Sequence, residues 1–250
     1  MKFIQRIRKQ FVYGLSKCSG INFFGRKTIF TQGGGLKRKR YIIDYKRNIP
    51  LKYIILSIEK QYRVTGFFSL VCYENGLFSY ILMIENCNIG DIIFGFVNYL
   101  QKNTSTFIYN ISTSNFLCNV EIMPGKGGKL ARSAGLSCFL ISKEKNYGFL
   151  KMNSGWLLRV SSFCIAVVGV VSNSKHFLTR VKNAGKNRNL GFKPRVRGVA
   201  MNPCDHAHGG GEGRSSPPVA HKTPYGKLTK VPTKRDKLYR KKKYNFKIFN

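Results

Sequence analysis

Histidine, cysteine and glycine are concentrated in one segment, Arg197-Gly-Val-Ala-Met-Asn-Pro-Cys-Asp-His-Ala-His-Gly-Gly-Gly-Glu-Gly-Arg214. His206 and His208 carry side chains that can bind a metal, transfer a proton or stack on a base. The segment has no apolar periodicity, so it predicts neither a core helix nor a buried strand. Four glycines among residues 209–213 lose much backbone entropy on becoming ordered. We therefore expect something outside the chain to lie close to this backbone.

A zinc site is the first alternative for this segment. Cys204, His206 and His208 fall on one side of an extended chain, with Asp205 and His221 nearby. Structural zinc usually takes two well-separated pairs of ligands, and the sequence has no second pair. A thiol nucleophile at Cys204 is disfavoured too, because catalytic Cys and His normally come from distant parts of a chain. We predict no metal and no cofactor.

Two enzyme motifs are only partly matched. His208-Gly-Gly-Gly211 has the letters of the oxyanion loop of lipases and esterases, but the chain has no G-x-S-x-G elbow. The Gly-rich stretch at 124–135 suggests a phosphate loop, but G-x-x-x-x-G-K-[ST] is absent. We predict that the protein is not an enzyme. A metal-dependent RNA-modifying or processing enzyme, or a free basic nucleic-acid-binding factor, remains the alternative.

The charge indicates the partner. Lys and Arg number 44 against 10 Asp and Glu, a formal charge of +34. Residues 1–47 hold 13 basic and one acidic residue, residues 48–125 hold four and five, and residues 126–250 hold 27 and four. A near-neutral body between polycationic flanks indicates a polyanion partner, with nucleic acid favoured over an anionic membrane. No apolar stretch is long enough to cross a bilayer.

The elements that must position these residues are predicted as short strands. The first block of β-rich runs includes the strong hairpin signal Asn75-Gly76, and the second includes the turn Asn153-Ser-Gly155. Regular spacing without a helical period indicates small β-barrels. We see no internal repeat and no heptad. The predicted strands are Tyr53–Ile58, Gly66–Tyr73, Phe78–Ile84, Ile92–Leu100, Phe107–Ile111, Ser137–Ser142, Tyr147–Met152, Trp156–Val160 and Cys164–Val171.

RNA fits both Gly-rich stretches. Glycines let the main chain lie against phosphate, so that backbone N–H groups donate to its oxygens. Lys126, Lys129 and Arg132 in one stretch, and Arg197 and Arg214 in the other, supply cations for the same phosphates. Asn202, His206 and His208 can hydrogen-bond to bases or stack on them.

Residue usage bears on the compartment. The chain has 21 Ile and 19 Phe against seven Ala, and this bias to A/T-rich codons is typical of an organelle genome. The seven cysteines lie singly, without a C-x-x-C pair, and are predicted to be reduced. Residues 1–20 are basic without an acid, as expected either of a mitochondrial targeting segment or of a nucleic-acid-binding arm.

The segment 197–214 resembles the signature of the universal L2 family of large-subunit ribosomal proteins. So do GRK…GGGLKRKRYIIDYKR at 25–47, MPGKGGKLARSAG at 123–135 and the stretch 182–198, which ends in Lys193-Pro-Arg-Val-Arg-Gly198. The matches run in family order from about residue 25 to 240. Several positions depart from the pattern: the arm before Gly25 is short, Leu36 replaces His, Cys204 replaces Val, Ala207 replaces Pro, and Tyr225 replaces Trp.

The resemblance implies an all-β protein with an OB-fold-like barrel, then an SH3-like barrel, an extended basic N-terminal arm and a long irregular C-terminal extension. We place these at 25–115, 116–180, 1–24 and 181–250. It implies a structural rRNA-binding protein that supports subunit joining, with its histidine loop near the peptidyl transferase centre. His206 would position RNA rather than catalyse. The residues predicted to bind RNA are Gly33, Gly34, Gly35, Lys37, Arg38, Arg40, Lys46, Arg47, Lys126, Lys129, Arg132, Arg195, Arg197, Asn202, Asp205, His206, His208, Gly209, Gly210, Gly211 and Arg214.

The expected partners are large-subunit rRNA and neighbouring large-subunit proteins, with no membrane and no autonomous homo-oligomer. The expected location is the mitochondrial ribosome, with a plastid less favoured.

Overall fold

A computed structural model provides the structure of the chain. In the part that it describes, strands dominate and helices are short. The described residues are 2–61, 64–97, 103–213 and 219–229. The strands are β1 Val12–Gly14, β2 Lys39–Tyr41, β3 Lys52–Lys60, β4 Phe67–Tyr73, β5 Phe78–Leu82, β6 Ile92–Phe94, β7 Ser105–Phe107, β8 Phe116–Cys118, β9 Val120–Glu121, β10 Gly128–Leu130, β11 Cys138–Lys143, β12 Tyr147–Met152, β13 Leu157–Ser161 and β14 Ile165–Val168; the helices are α1 Lys2–Gln10 and α2 Ala184–Asn189, and 3₁₀ turns span Ile108–Asn110, Ser174–Leu178 and Gly198–Ala200.

The chain divides into two compact units, and each combines segments that are distant in sequence. The first unit contains Met1–Ser16 and Lys37–Lys182, and the second contains Lys17–Leu36 and Asn183–Asn250. All four β-sheets of the described residues belong to the first unit, and the two large ones form its body. In its described residues, the second unit is made largely of turns and irregular chain, as predicted for the C-terminal extension.

The first sheet is antiparallel, with the strand order β5-β4-β3-β6. Along β3, Tyr53 and Ile55 are buried while Lys52 and Ile54 are exposed, the alternation that a strand with one solvated face requires. The predicted hairpin between β4 and β5 is confirmed. Gly76 adopts φ +79°, and the Asn75 side chain accepts a hydrogen bond from the backbone amide of Leu77 at 3.1 Å.

The second sheet has the order β13-β12-β11-β8-β14-β7. The predicted turn between β12 and β13 is also confirmed, since Gly155 has φ +79° and donates to the Met152 carbonyl at 2.8 Å. All four residues of β14 are buried because strands flank it on both sides. Its partner β7 puts residues 105–107 in this sheet, ten residues before the domain boundary expected at 115/116.

The two sheets share one hydrophobic cluster. Ile84 and Val171 form an isolated antiparallel bridge, and the amide of Glu85 donates to the Val170 carbonyl at 2.8 Å. The Glu85 carboxylate accepts a further hydrogen bond from Ser174 at 2.6 Å. The segment after β14 therefore returns to the end of β5 and ties the second sheet to the first.

The N-terminal arm is partly helical rather than extended. Ile4, Ile7 and Phe11 recur at helical spacing and pack against the core cluster, with Ile7 buried. Arg8 forms an ion pair with Glu59 of β3 at 2.7 Å. An apolar stripe and one acidic partner thus fold this basic segment onto the first unit.

Several predicted strands are shorter than expected, among them β5 and β14, and the strand predicted at Phe107–Ile111 is wrong beyond its first residue. β6 ends at Phe94, and residues 98–100 of the predicted strand lie outside the described part of the chain. β7 ends at Phe107, where a 3₁₀ turn begins. No helix in the described residues is long and apolar enough to cross a membrane.

Candidate nucleic-acid interface

In the first unit, the two basic motifs at 37–47 and 123–135 meet at Tyr45. Its carbonyl accepts hydrogen bonds from the amide of Gly128 at 2.9 Å and from the side-chain amide of Asn119 at 3.1 Å. This junction brings four exposed cationic side chains onto one surface, which we call the Tyr45 surface. They belong to Lys46, Lys126, Lys129 and Arg132.

Arg132 is held by the ring of Tyr45. The guanidinium carbon lies 4.5 Å from the ring centroid, and Nη1 donates to the Gly128 carbonyl at 3.4 Å. Burial raises the pKa of the Tyr45 phenol, and the charge of Arg132 partly opposes this rise. The phenol is therefore neutral at physiological pH. Stacking orients an exposed cation that would otherwise be mobile, which reduces the entropy lost on binding an anion.

The glycines of the 123–135 motif serve the protein itself. Glu121 is buried, and its carboxylate accepts hydrogen bonds from the amides of Gly127 at 2.7 Å, Gly125 at 3.1 Å and Ile165 at 3.1 Å. The Gly125 and Gly127 amides are thus occupied by a carboxylate. The sequence predicted that these amides would face a phosphate, and this prediction is wrong for both glycines. Phosphate binding at this loop depends on side chains.

Glycine is also required at position 128 for a steric reason. A Cβ there would lie 2.2 Å from the Asn119 side-chain oxygen and 2.4 Å from its carbonyl oxygen. Sequence reasoning missed Glu121 and Asn119, since neither belongs to a recognisable motif. The only available signal was a lone acid three residues before a Pro-Gly turn.

Arg47 requires a correction. The sequence predicts that it binds RNA, but it is only 3% exposed. Its guanidinium donates to the Tyr53 hydroxyl and, at 3.3 Å, to the Asn103 carbonyl. Its own carbonyl accepts from the Ser105 hydroxyl at 2.6 Å. Arg47 therefore links β3 to the start of β7 inside the protein, and its charge is not presented to a ligand.

The other cations of the first motif differ in exposure. Lys37 and Arg40 are exposed, while Arg38 is half-buried. β2, which contains Arg40, pairs with β1, so that the arm and the first motif form a small two-stranded ribbon. Lys37 and Arg40 therefore remain available for a phosphate.

In the second unit, the triple glycine forms a turn against the segment 189–193. The amide of Gly33 donates to the Gly191 carbonyl at 3.0 Å, and a Cβ on Gly33 would lie 2.4 Å from the Lys193 side chain. Gly34 has φ +66° and open space around it, while the Gly35 carbonyl accepts a hydrogen bond from the Lys17 ammonium. Gly33 is therefore needed for packing, and Gly34 is the member of the triplet that a ligand can approach.

The histidine loop is organised by its own two imidazoles. His206 is 9% exposed and lies against Gly198, where a Cβ would be 2.6 Å from the ring. Its Nδ1 accepts a hydrogen bond from the amide of His208 at 3.0 Å, and His208 Nε2 accepts from the amide of Lys222 at 2.9 Å. The same Nε2 also lies 3.4 Å from the Ala220 carbonyl, so both rings contact backbone groups.

This arrangement disfavours the metal alternative. The Nδ1 of His206 and the Nε2 of His208 are occupied by backbone amides, so a metal could use them only by breaking these bonds. Within the described residues, no group of three His, Cys, Asp or Glu side chains is placed to hold a metal ion. Cys204 is exposed. The arrangement supports a rigid loop.

The glycines that follow fold back over the start of the loop. A Cβ on Gly209 would lie 2.3 Å from the Asn202 carbonyl oxygen, and one on Gly210 would lie 2.7 Å from the Pro203 ring. Gly210 and Gly211 have φ +88° and +95°, a region that favours glycine. These glycines are therefore explained in part by the close approach of the protein's own Asn202 and Pro203, and not only by a ligand. The remaining residues predicted to bind RNA differ in exposure. Five are exposed: Arg195, Arg197, Asn202, Asp205 and Gly211. His208 and Gly209 are half-buried, and Arg214 lies outside the described residues.

Comparison with known proteins agrees with this architecture. Residues 8–95 match Ribosomal Proteins L2, RNA binding N-terminal domain, and residues 102–226 match Ribosomal Proteins L2, C-terminal domain. The first match ends at residue 95 and the second begins at residue 102, so β7 at Ser105–Phe107 lies within the second match, as its place in the second sheet requires. The all-β fold is that of an OB-fold-like barrel followed by an SH3-like barrel.

Bacterial relatives match over most of the chain. The large ribosomal subunit protein uL2 of Parvibaculum lavamentivorans is 40% identical over 226 residues, which cover 89% of this chain and 81% of the relative. The uL2 of Bartonella henselae is 41% identical with the same coverage. That of Rickettsia felis is 41% identical over 224 residues, 89% of this chain and 82% of the relative. Identity of this extent, together with the two domain matches, shows that the chain belongs to the Ribosomal Proteins L2 family.

Proposed function

We propose that this protein is a structural constituent of the large ribosomal subunit that binds rRNA. The observation that carries the proposal is the Tyr45 surface, where four exposed cations belong to the two segments that meet at Tyr45 and one of them, Arg132, stacks on its ring. None of the four cations forms a salt bridge with a carboxylate of the described residues, and the two nearby carboxylates, of Asp44 and Glu121, accept hydrogen bonds from backbone amides instead. Such a surface attracts phosphate and releases counterions when it binds.

The Tyr45 surface positions RNA without reading its sequence. Its four cations bind phosphate oxygens, and the stacked Arg132 can form a bidentate contact. In the second unit, the exposed Asn202 and Asp205 can instead reach base edges or the 2′-hydroxyl of RNA. We therefore assign affinity chiefly to the barrels, and local positioning of RNA to the histidine loop.

Non-enzymatic action follows from this assignment. The histidine imidazoles are engaged in the loop, and peptide-bond chemistry near it would belong to RNA. Support for subunit joining and proximity to the peptidyl transferase centre rest on the family resemblance. The other partners are neighbouring large-subunit proteins, with no membrane and no homo-oligomer required.

We place the protein in an organellar ribosome and propose a mitochondrial one over a plastid one. The support is residue usage, because Ile and Phe far outnumber Ala, as in A/T-rich genomes. For the domain division, we propose an arm at 1–24, a first barrel that ends before β7, a second barrel that extends to about residue 180, and the extension from 181 onward. Sedimentation of the tagged protein with mitochondrial rather than plastid or cytosolic large subunits would test the location.

The RNA-binding proposal can be tested with a charge-neutralised variant of the full chain. Lys46, Lys126, Lys129 and Arg132 are changed to Gln, and affinity for the large-subunit rRNA of the same genome is measured between 50 and 300 mM salt. Each lost phosphate contact should reduce the slope of log K against log salt by about 0.9, so the variant should lose roughly three to four units of slope.

The matched control also removes three lysines and one arginine. Lys143, Lys145, Lys151 and Arg159 are exposed in the β11–β13 region, and Arg159 stacks on Tyr147 at 4.2 Å much as Arg132 stacks on Tyr45. The control variant should keep most of the slope of log K against log salt that the unaltered chain shows. Equal losses in the two variants would mean that binding follows net charge alone, and no change in the first variant would remove the Tyr45 surface from the interface.

A further inference from the structure

The second unit contains one turn twice, once near each end of the chain. The first copy spans residues 20–28. The amide of Asn22 donates to the Arg26 carbonyl at 2.9 Å, and the amide of Gly25 donates back to the Asn22 carbonyl at 3.1 Å. The Asn22 side-chain oxygen accepts from the Arg26 amide at 2.9 Å. Thr28 closes the turn, because its amide and its hydroxyl both donate to the Gly20 carbonyl, at 2.8 and 3.2 Å.

The second copy spans residues 221–229 and has the same five hydrogen bonds. The amide of Thr223 donates to the Lys227 carbonyl at 2.7 Å, and the amide of Gly226 donates to the Thr223 carbonyl at 2.9 Å. The Thr223 hydroxyl accepts from the Lys227 amide at 3.2 Å. The amide and hydroxyl of Thr229 donate to the His221 carbonyl at 2.9 and 3.1 Å. We call 20–28 and 221–229 the twin turns.

The repeat is structural and hardly visible in the sequence. Asn22-Phe-Phe-Gly-Arg-Lys-Thr28 and Thr223-Pro-Tyr-Gly-Lys-Leu-Thr229 are identical only at the glycine and the final threonine. No internal repeat is visible in the amino-acid pattern, and beyond these two residues the segments match in their hydrogen bonds. Asn and Thr can alternate at the first position, because either side chain offers an oxygen to the same amide.

Both turns display an aromatic ring to solvent. Phe24 is 81% exposed and Tyr225 is 65% exposed, and each comes directly before the glycine of its turn. Such exposure is costly for an aromatic ring, and its repetition at the same place in two turns indicates a ligand.

Each turn also carries a cation two residues after its ring. Arg26 and Lys227 follow the glycines, and neither turn contains an acidic residue. Gly25 and Gly226 have φ +74° and +76°, and a Cβ on either would meet nothing within 4 Å. The surface over each glycine is therefore open to a flat ligand that contacts the ring and the cation together.

We propose that the twin turns are two copies of one RNA-binding element, which stacks an unpaired base on Phe24 or Tyr225 and binds the adjacent phosphate with Arg26 or Lys227. Rings and cations in this combination bind single-stranded nucleic acid. A protein partner would be better served by an apolar patch without uncompensated charge. The proposal rests on the function proposed above and adds to it the residues that hold unstacked nucleotides.

The experiment uses the full chain and the large-subunit rRNA of the same genome, transcribed in vitro. Ring variants Phe24→Ala and Tyr225→Ala are compared with charge variants Arg26→Gln and Lys227→Gln, and affinity is measured across a salt series. Each ring variant should bind about tenfold more weakly with an unchanged salt slope. Each charge variant should lower the slope by about 0.7 to 0.9.

The matched control for ring loss is Phe177→Ala. Phe177 is also 81% exposed and has a cation, Lys175, two residues away, but it lies in a 3₁₀ turn without the glycine and its hydrogen bonds. This variant should bind like the unaltered chain. Because all of these side chains are exposed, the substitutions should leave the fold intact, which thermal unfolding checks.

A second set of variants tests the turn itself. Asn22→Thr should keep full affinity, because Thr223 performs the same role in the other copy. Asn22→Ala should weaken binding although it removes no group that contacts RNA, since it frees the Arg26 amide and loosens the turn. Equal affinity of these two variants would contradict the assigned geometry.

The outcomes separate the two proposals. An unaltered chain that binds this rRNA no better than unrelated RNA overturns both. If the unaltered chain binds this rRNA specifically and the variants without Phe24 and Tyr225 bind it equally well, the twin-turn proposal is overturned and the RNA-binding function stands. Normal affinity for naked rRNA, with loss of a neighbouring protein from particles assembled with the ring variants, would show that the turns dock protein, and would also overturn the proposal.

Discussion

The carboxylate of Glu121 and the amide of Gly127 are joined by a 2.7 Å hydrogen bond that is buried beneath the most basic loop of the first unit. The same carboxylate holds Gly125 and reaches across to Ile165 of β14. An acid thus shapes the loop that carries Lys126 and Lys129, and it does so through hydrogen bonds to backbone amides rather than through ion pairs with these lysines.

Glu121→Gln tests this relationship. Gln retains one acceptor oxygen and replaces the other with a donor that faces backbone N–H groups. Loss of charge-assisted bonds should lower the free energy of unfolding by about 2–3 kcal/mol, as urea denaturation would measure. Glu74→Gln is the control, because exposed Glu74 makes only a 3.8 Å contact with Lys52 and should change stability by less than about 0.5 kcal/mol. Equal stability of the two variants would contradict the role given to Glu121.

Lys46 and Arg47 should behave in opposite ways although they are neighbours. Arg47→Met should cost about 2–4 kcal/mol, because it leaves the Tyr53 hydroxyl and the Asn103 carbonyl without their buried donor. RNA affinity of the folded variant should keep its salt slope. Lys46→Gln should change stability by less than about 0.5 kcal/mol and lower the slope by about 0.9. A reduced slope for Arg47→Met, measured where the variant is folded, would restore it to the interface.

His206→Asn and His206→Gln test whether the hydrogen bond from the His208 amide to the His206 ring holds the loop. Asn can place an oxygen near the position of Nδ1 and continue to accept from the His208 amide, whereas the longer Gln cannot. Losing a bond worth about 1 kcal/mol should speed hydrogen exchange of the His208 amide roughly fivefold in the Gln variant alone. Asp205→Asn, at an exposed neighbour, should leave exchange unchanged. Equal protection in both His206 variants would mean that the bond does not hold the loop.

Alkaline pH should destabilise the protein. Burial raises the pKa of Cys118 to about 12 and those of Cys138 and Cys164 to about 11, from 9.0. Above pH 9 the unfolded chain releases these protons, while the folded chain retains those of Cys138 and Cys164 up to about pH 11 and that of Cys118 up to about pH 12. The folded state then binds more protons, so the free energy of unfolding falls as pH rises through this window. These groups contribute no such slope below pH 9.

Urea denaturation at several pH values measures this decline. Cys118→Ala should make it shallower, although the variant is less stable at neutral pH because it removes buried volume. The exposed Cys204 is the control site, and Cys204→Ala should leave the pH dependence unchanged. A flat stability profile between pH 9 and pH 11 would contradict the burial of the three thiols.

Local chemistry was sufficient to predict several elements from the sequence. The alternation of β3 and the turns at Asn75-Gly76 and Asn153–Gly155 depend on neighbouring residues, and all three are found where expected. The uneven charge likewise indicated an anionic partner. These properties follow from residue order alone, because strand period, turn conformation and net charge need no distant contact.

Tertiary structure decided which residues of each motif face inward. In the pair Lys46-Arg47 both residues are cationic, and only the positions of Tyr53 and Asn103 determine that the second is buried. The glycines at 125–128 and 209–210 looked like contacts for RNA, but their close neighbours are Glu121, Asn119, Asn202 and Pro203. The twin turns became visible only as matching hydrogen bonds. The sequence by itself determined the strand-rich character, the charge and the family, whereas the roles of individual residues depended on contacts between segments far apart in the chain, which no local pattern encodes.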